Sequence, residues 1–336
     1  MAKTVAEAFR IFRENSVDLE PSETAKARAT RDFLLNQLRE LFRKNSDLPD
    51  IKNYSSFGSF ARRTKIRPLD DIDLLVVLDG SDISFSPGTY LFEQAPYLFT
   101  KNNDSPLKKF EDKDGYISSI KVLNKMVSSL RHVSNYKKAE IKRDQAATVL
   151  NLSSYIWTFD IVPAFEFTNL FSKQVSCYVI PDGKGGWMKT DPRVDAESTS
   201  RLNEKYDKRF LSYLRLLKYW NKLDLNKPKL NSYYFETLVG KVFDGHSKEI
   251  KTVQEAILYF FKNCPRFLKV SCPDPKEYGP ALDKNLESKT KDKIIEEMKD
   301  MLFLCEKAIY YEGKQRHREA VLLWHIIFGQ EFPIYC

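Results

Sequence analysis

The chain has 336 residues, 42% of them hydrophobic, and 54 Lys and Arg against 46 Asp and Glu give a formal net charge of +8. That length and apolar content suit a large core or two lobes, and the mild basic excess suits polyanionic partners without by itself indicating RNA or DNA. No apolar run reaches the roughly 18 residues of a membrane helix, and the start Met1-Ala2-Lys3-Thr4-Val5-Ala6-Glu7 lacks a signal peptide's apolar core. A cytoplasmic protein is therefore expected. Cys177, Cys264, Cys272, Cys305 and Cys336 are too scattered for a disulfide framework.

In chain order, helices are predicted over 4–15 and 22–44, the second starting at Pro21-Ser22-Glu23-Thr24 with a stripe through Leu34, Leu38 and Leu41. A short strand over 54–58 then reaches Gly58-Ser59. Glycine permits a tight turn there, in which backbone N–H groups and the Ser59 hydroxyl face an anion. A helix or turn over 59–65 carries Arg62 and Arg63. The next strand, 70–79, contains Ile72 to Leu78, a leucine-rich and β-branched run that is apolar on both faces. Alternation puts Asp71 and Asp73 on one side of it. Paired carboxylates repel unless a cation sits between them. Such hard oxygen ligands suit Mg²⁺, which completes its shell with water and substrate phosphates. An isolated Asp-x-Asp also reads as solvated turn residues, and Gly-Ser alone says little. The ordered combination of strand, Gly-Ser, basic turn and Asp-x-Asp strand is specific.

Residues 80–115, rich in Ser, Pro, Gly, Asp and Asn, read as a long, partly mobile loop. A helix at 117–133 precedes strands near 146–151, 154–162 and 175–181. Asp160 interrupts the strand-like Tyr155-Ile156-Trp157-Thr158-Phe159-Asp160-Ile161-Val162-Pro163, which Pro163 is expected to close. It is the candidate third carboxylate of a two-metal site; pairing with a buried arginine or capping a turn are the other readings. The glycine-rich 181–187 lacks the ending of a phosphate loop and reads as a hairpin turn. After Asp191-Pro192 the pattern becomes helical near 194–224, 232–245, 251–263, 290–311 and 314–328, with 269–289 an irregular connection. Lys218 follows Leu211 and Leu214 at helical spacing and so borders an apolar stripe. There it either meets an anionic partner such as a triphosphate or snorkels to solvent. Ile294, Met298, Met301, Leu302, Cys305 and Ile309 form one core face, and His132, His246, His317 and His325 show no metal spacing.

The strand-turn-strand segment, the Thr158 to Pro163 string, Arg215-Leu216-Leu217-Lys218-Tyr219-Trp220-Asn221 and Ser232-Tyr233-Tyr234-Phe235-Glu236 together resemble the bacterial CD-NTases, the cGAS/DncV-like nucleotidyltransferases. The resemblance runs over nearly the whole chain. It implies an α+β fold, with a polymerase-β-like catalytic core and mixed sheet over 1–192 and a helical, oligoadenylate-synthetase-like lobe over 193–336 closing the nucleotide cleft. It further implies synthesis of cyclic oligonucleotide second messengers from NTPs, ATP and GTP foremost, in anti-phage defence. Gly58 and Ser59 match phosphate-binding positions, and Asp71 and Asp73 match ligands of both metal ions. Asp160 matches the carboxylate that binds one metal and helps to activate the attacking ribose hydroxyl. Lys218 and Ser232 match contacts to the triphosphate tail. Two Mg²⁺ ions, or Mn²⁺, are the implied cofactors. Tyr233 and Tyr234 either stack on a base or belong to the core. A downstream effector activated by the cyclic nucleotide is implied as a partner. So is an E1/E2-like operon partner at the C-terminus, although Cys336 replaces the usual small terminal residue. Some relatives carry a structural zinc, for which Cys264, Cys272 and Cys305 are the candidates. No membrane or nucleic acid is required. A template-independent RNA nucleotidyltransferase shares the carboxylate motif but should show clustered Lys and Arg, whereas the second half is mixed in charge. A silent sensor or partner module is the third reading.

Overall fold

The apolar run that reads as a buried strand forms β2 (Asp71–Leu78), in which Ile72 and every residue from Leu74 onward are buried while Asp71 and Asp73 are partly exposed. The structure, a computed structural model, describes residues 2–44, 47–86, 95–168, 174–223, 228–246 and 249–336. Within it the chain divides into two compact units, one of Pro21–Arg62 and Leu69–Pro192, the other of Met1–Glu20, Arg63–Pro68 and Arg193–Cys336.

In the first unit α1 is absent and the long helix α2 (Pro21–Lys44; α1 is Val5–Phe12) leads to β1 (Ile51–Ser56) and the short α3 (Gly58–Ala61). After β2 come β3 (Ile83–Phe85) and β4 (Leu98–Thr100), a 3₁₀ turn at Pro106–Phe110 and α4 (Ser119–Arg131). The strands β5 (Glu140–Asp144), β6 (Ala147–Asn151), β7 (Thr158–Thr168), β8 (Val175–Pro181) and β9 (Trp187–Thr190) complete it. A seven-stranded sheet has the order β1-β2-β7-β6-β5, with β8 pairing both β7 and β9. It is mixed: β2 runs parallel to β7, and the other pairs are antiparallel. The face that begins with Asp71, Asp73 and Asp160 continues as a small apolar cluster of Leu75, Val77, Val162 and Ala164 with Ala147.

Two expectations change here. Residues 154–157 are not strand but turn and irregular backbone, with Ile156 69% exposed, and β7 instead runs on through Pro163 to Thr168. On one side β7 pairs with β6 as far as Ile161 and with β8 from Phe165. Pro163 falls between these partners, where a missing N–H breaks no rung of either antiparallel ladder. The segment 80–115 holds the β3–β4 hairpin and the 3₁₀ turn as well as loop; residues 87–94 of it lie outside the described residues. The β8–β9 hairpin forms where the glycine-rich turn was expected.

The second unit contains α1, then α5 (Pro192–Lys205), α6 (Phe210–Lys222), α7 (Ser232–Asp244), α8 (Val253–Leu268), α9 (Ser288–Gly313) and α10 (His317–Phe328). The helical pattern over 194–224 is broken because Asp207 and Lys208 both take positive φ, 49° and 64°, a conformation that ends a helix. Thr252 and Glu255 form a capping box at the start of α8, which extends past Pro265. Helix α1 sits in this unit and not with the sheet. Val5, Ala8, Phe9 and Phe12 belong to its core, and Phe9 meets Trp324 edge-on at 5.0 Å. The Ile294, Met298, Met301 and Cys305 face of α9 is buried in the same core.

In the sheet unit, Asp47 accepts hydrogen bonds from Lys109 and, at 2.7 Å, from Lys125 of α4. These two ammonium groups lower its pKa from 3.8 to about 2, Lys109 contributing most. A carboxylate depressed on folding adds stability above its unfolded pKa of roughly 3.9 and loses it as pH falls through the folded value. Carboxyl NMR is expected to show Asp47 titrating at about 2. Asp47→Asn should flatten the pH dependence of unfolding between about pH 4 and about pH 2.

Candidate active site

The strand pairing gathers the carboxylates. In the parallel pair, Asp73 of β2 is the register partner of Asp160 of β7, and Asp71 is that of Thr158. Adjacent strands lie about 4.8 Å apart, so Asp73 and Asp160 emerge side by side, with Asp71 two residues back on the same face. All three are partly exposed, whereas the alternating Ile72, Leu74, Phe159 and Ile161 are buried. The start of β7 is fixed by the Asp70 carbonyl, which accepts the Thr158 N–H at 2.9 Å.

The Gly-Ser turn is built against the same carboxylates. The Phe57 N–H donates to the Asp73 carbonyl at 3.4 Å, and Gly58 has φ +72°. A Cβ added to Gly58 would lie 1.7 Å from Asp73 Oδ2. Glycine is thus required twice, by the left-handed backbone and by the carboxylate that occupies the space of a side chain. Ser59 follows, partly exposed, in the single turn of α3, where the Arg62 N–H closes on the Gly58 carbonyl at 3.3 Å. The donor set is oxygen only, as a hard divalent cation requires. Among the described residues no three His, Cys, Asp or Glu side chains are drawn together into a finished metal cage. The three aspartates share a face of the sheet at the ends of β2 and β7.

The remaining candidates lie in the helical unit. Lys218 of α6 is only 8% exposed, and its ammonium is ion-paired with Glu236 of α7. The other Glu236 oxygen accepts the Thr64 hydroxyl at 3.0 Å. Sequence reasoning asked for an anion beside Lys218; within the protein that anion is Glu236, a residue of the Ser232 to Glu236 string that was not singled out. Ser232 is the exposed first residue of α7, beside the Asn231 side chain that accepts the Tyr233 N–H at 3.0 Å. The Tyr233 hydroxyl donates to Asp195 at 2.9 Å and accepts from Lys276 at 2.6 Å, with the ammonium 4.0 Å from the ring centroid. Asp195 and Lys276 left no sequence signal, since they come from distant elements. Tyr234 is 3% exposed and packs in the helical core, its hydroxyl without a partner among the described residues. Burial pushes that phenol's pKa up. Tyr234 is core and not an open stacking surface.

Cys264, Cys272 and Cys305 are likewise members of the helical core. Burial pushes the Cys264 and Cys305 thiols well up, away from the thiolate that binds zinc. At the C-terminus the Cys336 N–H donates to the Ala2 carbonyl at 3.1 Å, and Cys336 is exposed.

A mixed sheet carrying a Gly-Ser turn and strand-borne aspartates, together with a helical C-terminal region, defines a polymerase-β-like nucleotidyltransferase of the cGAS/DncV type. The comparisons agree. The chain is 39% identical over 337 residues to a probable cyclic nucleotide synthase of Bacillus cereus strain VD146, covering 99% of each. It therefore belongs to the CD-NTases, the bacterial cyclic nucleotide synthase family. Its fold is similar to that of Escherichia coli MS115-1 CdnC solved with ATP, with a TM-score of 0.70, 19% identity and coverage of 97% of this chain and 98% of that one. It is also similar to Vibrio cholerae DncV, a cyclic AMP-GMP synthase, with a TM-score of 0.64, 11% identity and coverage of 97% and 96%. No protein-family model matches the chain.

Gly58→Ala is expected to cost about 1–3 kcal/mol, because alanine must hold a left-handed conformation and displace the Asp73 carboxylate. Denaturant unfolding beside the wild type measures this. Equal midpoints would mean that the turn relaxes without cost.

Proposed function

We propose that this protein joins nucleoside triphosphates into a cyclic oligonucleotide by successive nucleotidyl transfers that release pyrophosphate, as part of anti-phage signalling. The register of Asp73 beside Asp160, with Gly58 packed on the Asp73 carboxylate, is the observation that carries the reading. The relationship to a probable cyclic nucleotide synthase over the full length supports it.

The Gly58-Ser59 turn offers its backbone N–H groups and hydroxyl to the triphosphate of the donor nucleotide. Lys218 and Ser232 contact its phosphate tail, and Tyr233 stacks on a base. Asp71, Asp73 and Asp160 would hold the divalent cations, Mg²⁺ or Mn²⁺, which would supply Lewis-acid stabilisation of the charge that develops during the transfer. Asp160, next to Asp73, orients the ribose hydroxyl and accepts its proton as the hydroxyl oxygen attacks the α-phosphate in line. The bond to pyrophosphate breaks on the opposite side. Positioning supplies most of the rate, since the reacting groups are held in one complex. Closing the ring requires the linear product to re-enter with its ends exchanged. Vibrio cholerae DncV has been solved with such a linear intermediate, 5′ pppA(3′,5′)pG.

An effector that answers the cyclic product follows from this activity. The exposed Cys336, whose backbone is held by Ala2, is where an E1/E2-like partner would act.

Purified protein incubated with each labelled NTP, singly and mixed, with Mg²⁺ or Mn²⁺, is expected to yield a phosphatase-resistant product identifiable by mass spectrometry. The Asp71→Asn/Asp73→Asn double variant should be slower by roughly 10³-fold or more, the loss expected when several kcal/mol of transition-state charge stabilisation disappear. Full activity in that variant would remove the carboxylates from the mechanism. Product that appears only on added RNA would replace the proposal with RNA tailing.

A further inference from the structure

Lys218 and Glu236 form an ion pair whose side chains are only 8% and 9% exposed. Burying two opposite charges costs each of them most of its hydration, and apolar replacements of such pairs are often as stable or more so. Stability alone is therefore a weak reason for the pair. Its position is more informative: Lys218 sits at the phosphate-tail position of the proposed reaction, and Glu236 lies one helical turn beyond Ser232 on α7.

We infer that Glu236 is a resident counter-ion that Lys218 exchanges for the phosphate tail of the nucleotide. The inference rests on Lys218 being a phosphate contact. Glu236 pairs with the buried ammonium before the nucleotide arrives, and then competes with the triphosphate for it. The same competition loosens pyrophosphate after the transfer. Glu236 is a positioning residue, since it acts through Lys218.

Thr64 makes the exchange feasible. Its hydroxyl, on a side chain that is fully buried, donates to the second Glu236 oxygen at 3.0 Å. When the ammonium turns to a phosphate, the carboxylate keeps this bond, which lowers the cost of leaving it behind. The segment that carries Thr64 is itself fixed. Arg215 Nη1 donates to the Arg63 carbonyl at 2.9 Å, the Lys222 ammonium donates to the Arg67 carbonyl at 3.1 Å, and the Arg67 N–H donates to the Val17 carbonyl at 3.1 Å. In the chain this segment directly follows the Gly58-Ser59 turn.

The test is the affinity of the full-length protein for inorganic tripolyphosphate, measured by calorimetry, with pyrophosphate inhibition of product formation as the second readout. Glu236→Gln removes the competing charge and retains a hydrogen-bond acceptor for Thr64. It should bind tripolyphosphate about tenfold more tightly, a change of one decade for each ~1.4 kcal/mol, and be inhibited by correspondingly less pyrophosphate. Lys218→Met should weaken binding by a similar factor, and Lys218→Met/Glu236→Gln should bind no more tightly than Lys218→Met. Should Glu236→Gln not fold, Glu236→Asp keeps the charge, withdraws it from Lys218 by one methylene, and should tighten binding a few-fold. Weaker or unchanged binding in the folded Glu236 variants, with Lys218→Met impaired, would overturn the exchange and leave the phosphate role of Lys218 standing. Wild-type affinity in Lys218→Met would overturn both, while product formation reports separately on the nucleotidyl transfer.

Discussion

The parallel pairing of β2 with β7 is the constraint on which the site depends. It sets two carboxylates, Asp73 and Asp160, in direct register on neighbouring strands, an arrangement that is unfavourable on its own because like charges at that spacing repel. The sheet accepts it because the same strands bury apolar side chains on the opposite face and further along the same one, including Leu75, Val77, Val162 and Ala164. The hydrophobic pairing of the strands holds the charges together, and binding of a cation would relieve their repulsion. The left-handed Gly58 adds a second constraint, since its missing side chain leaves the space in which the Asp73 carboxylate sits.

The helical unit solves a different problem, that of keeping a cation available within a largely apolar core. Lys218 borders Leu214 and Leu217, both buried, and it is ion-paired with Glu236, which Thr64 holds in turn. Tyr233 is held in a comparable way by Asp195 and Lys276, which fixes one tyrosine of the pair while Tyr234 is taken up by the core. Helix α1 shows how strongly this core organises the chain: its aromatic face belongs with Trp324, Phe328 and Phe332 although it is far from them in sequence.

Much of the fold was legible because periodicity is local. The buried strand β2, the helices from α7 onward and the β8–β9 hairpin all followed from alternation, helical spacing and turn residues. The departures have physical causes that local patterns do not carry. Pro163 was expected to end a strand, but a proline between two successive ladder partners breaks no antiparallel rung. The helical run near 194–224 was expected to be continuous, but Asp207 and Lys208 adopt positive φ. Helix α1 was expected with the sheet, but its apolar stripe is satisfied by the helical core.

The sequence by itself determined which groups are present and which of them share a face: Asp71 with Asp73 by strand alternation, Gly58 by the turn that needs it, and Lys218 beside an apolar stripe. The tertiary structure alone decided that Asp160 stands next to Asp73 and that the partner of Lys218 is Glu236, held in turn by Thr64. Both are pairings between distant segments. Their energies come from register and burial, which leave no periodic trace along the chain.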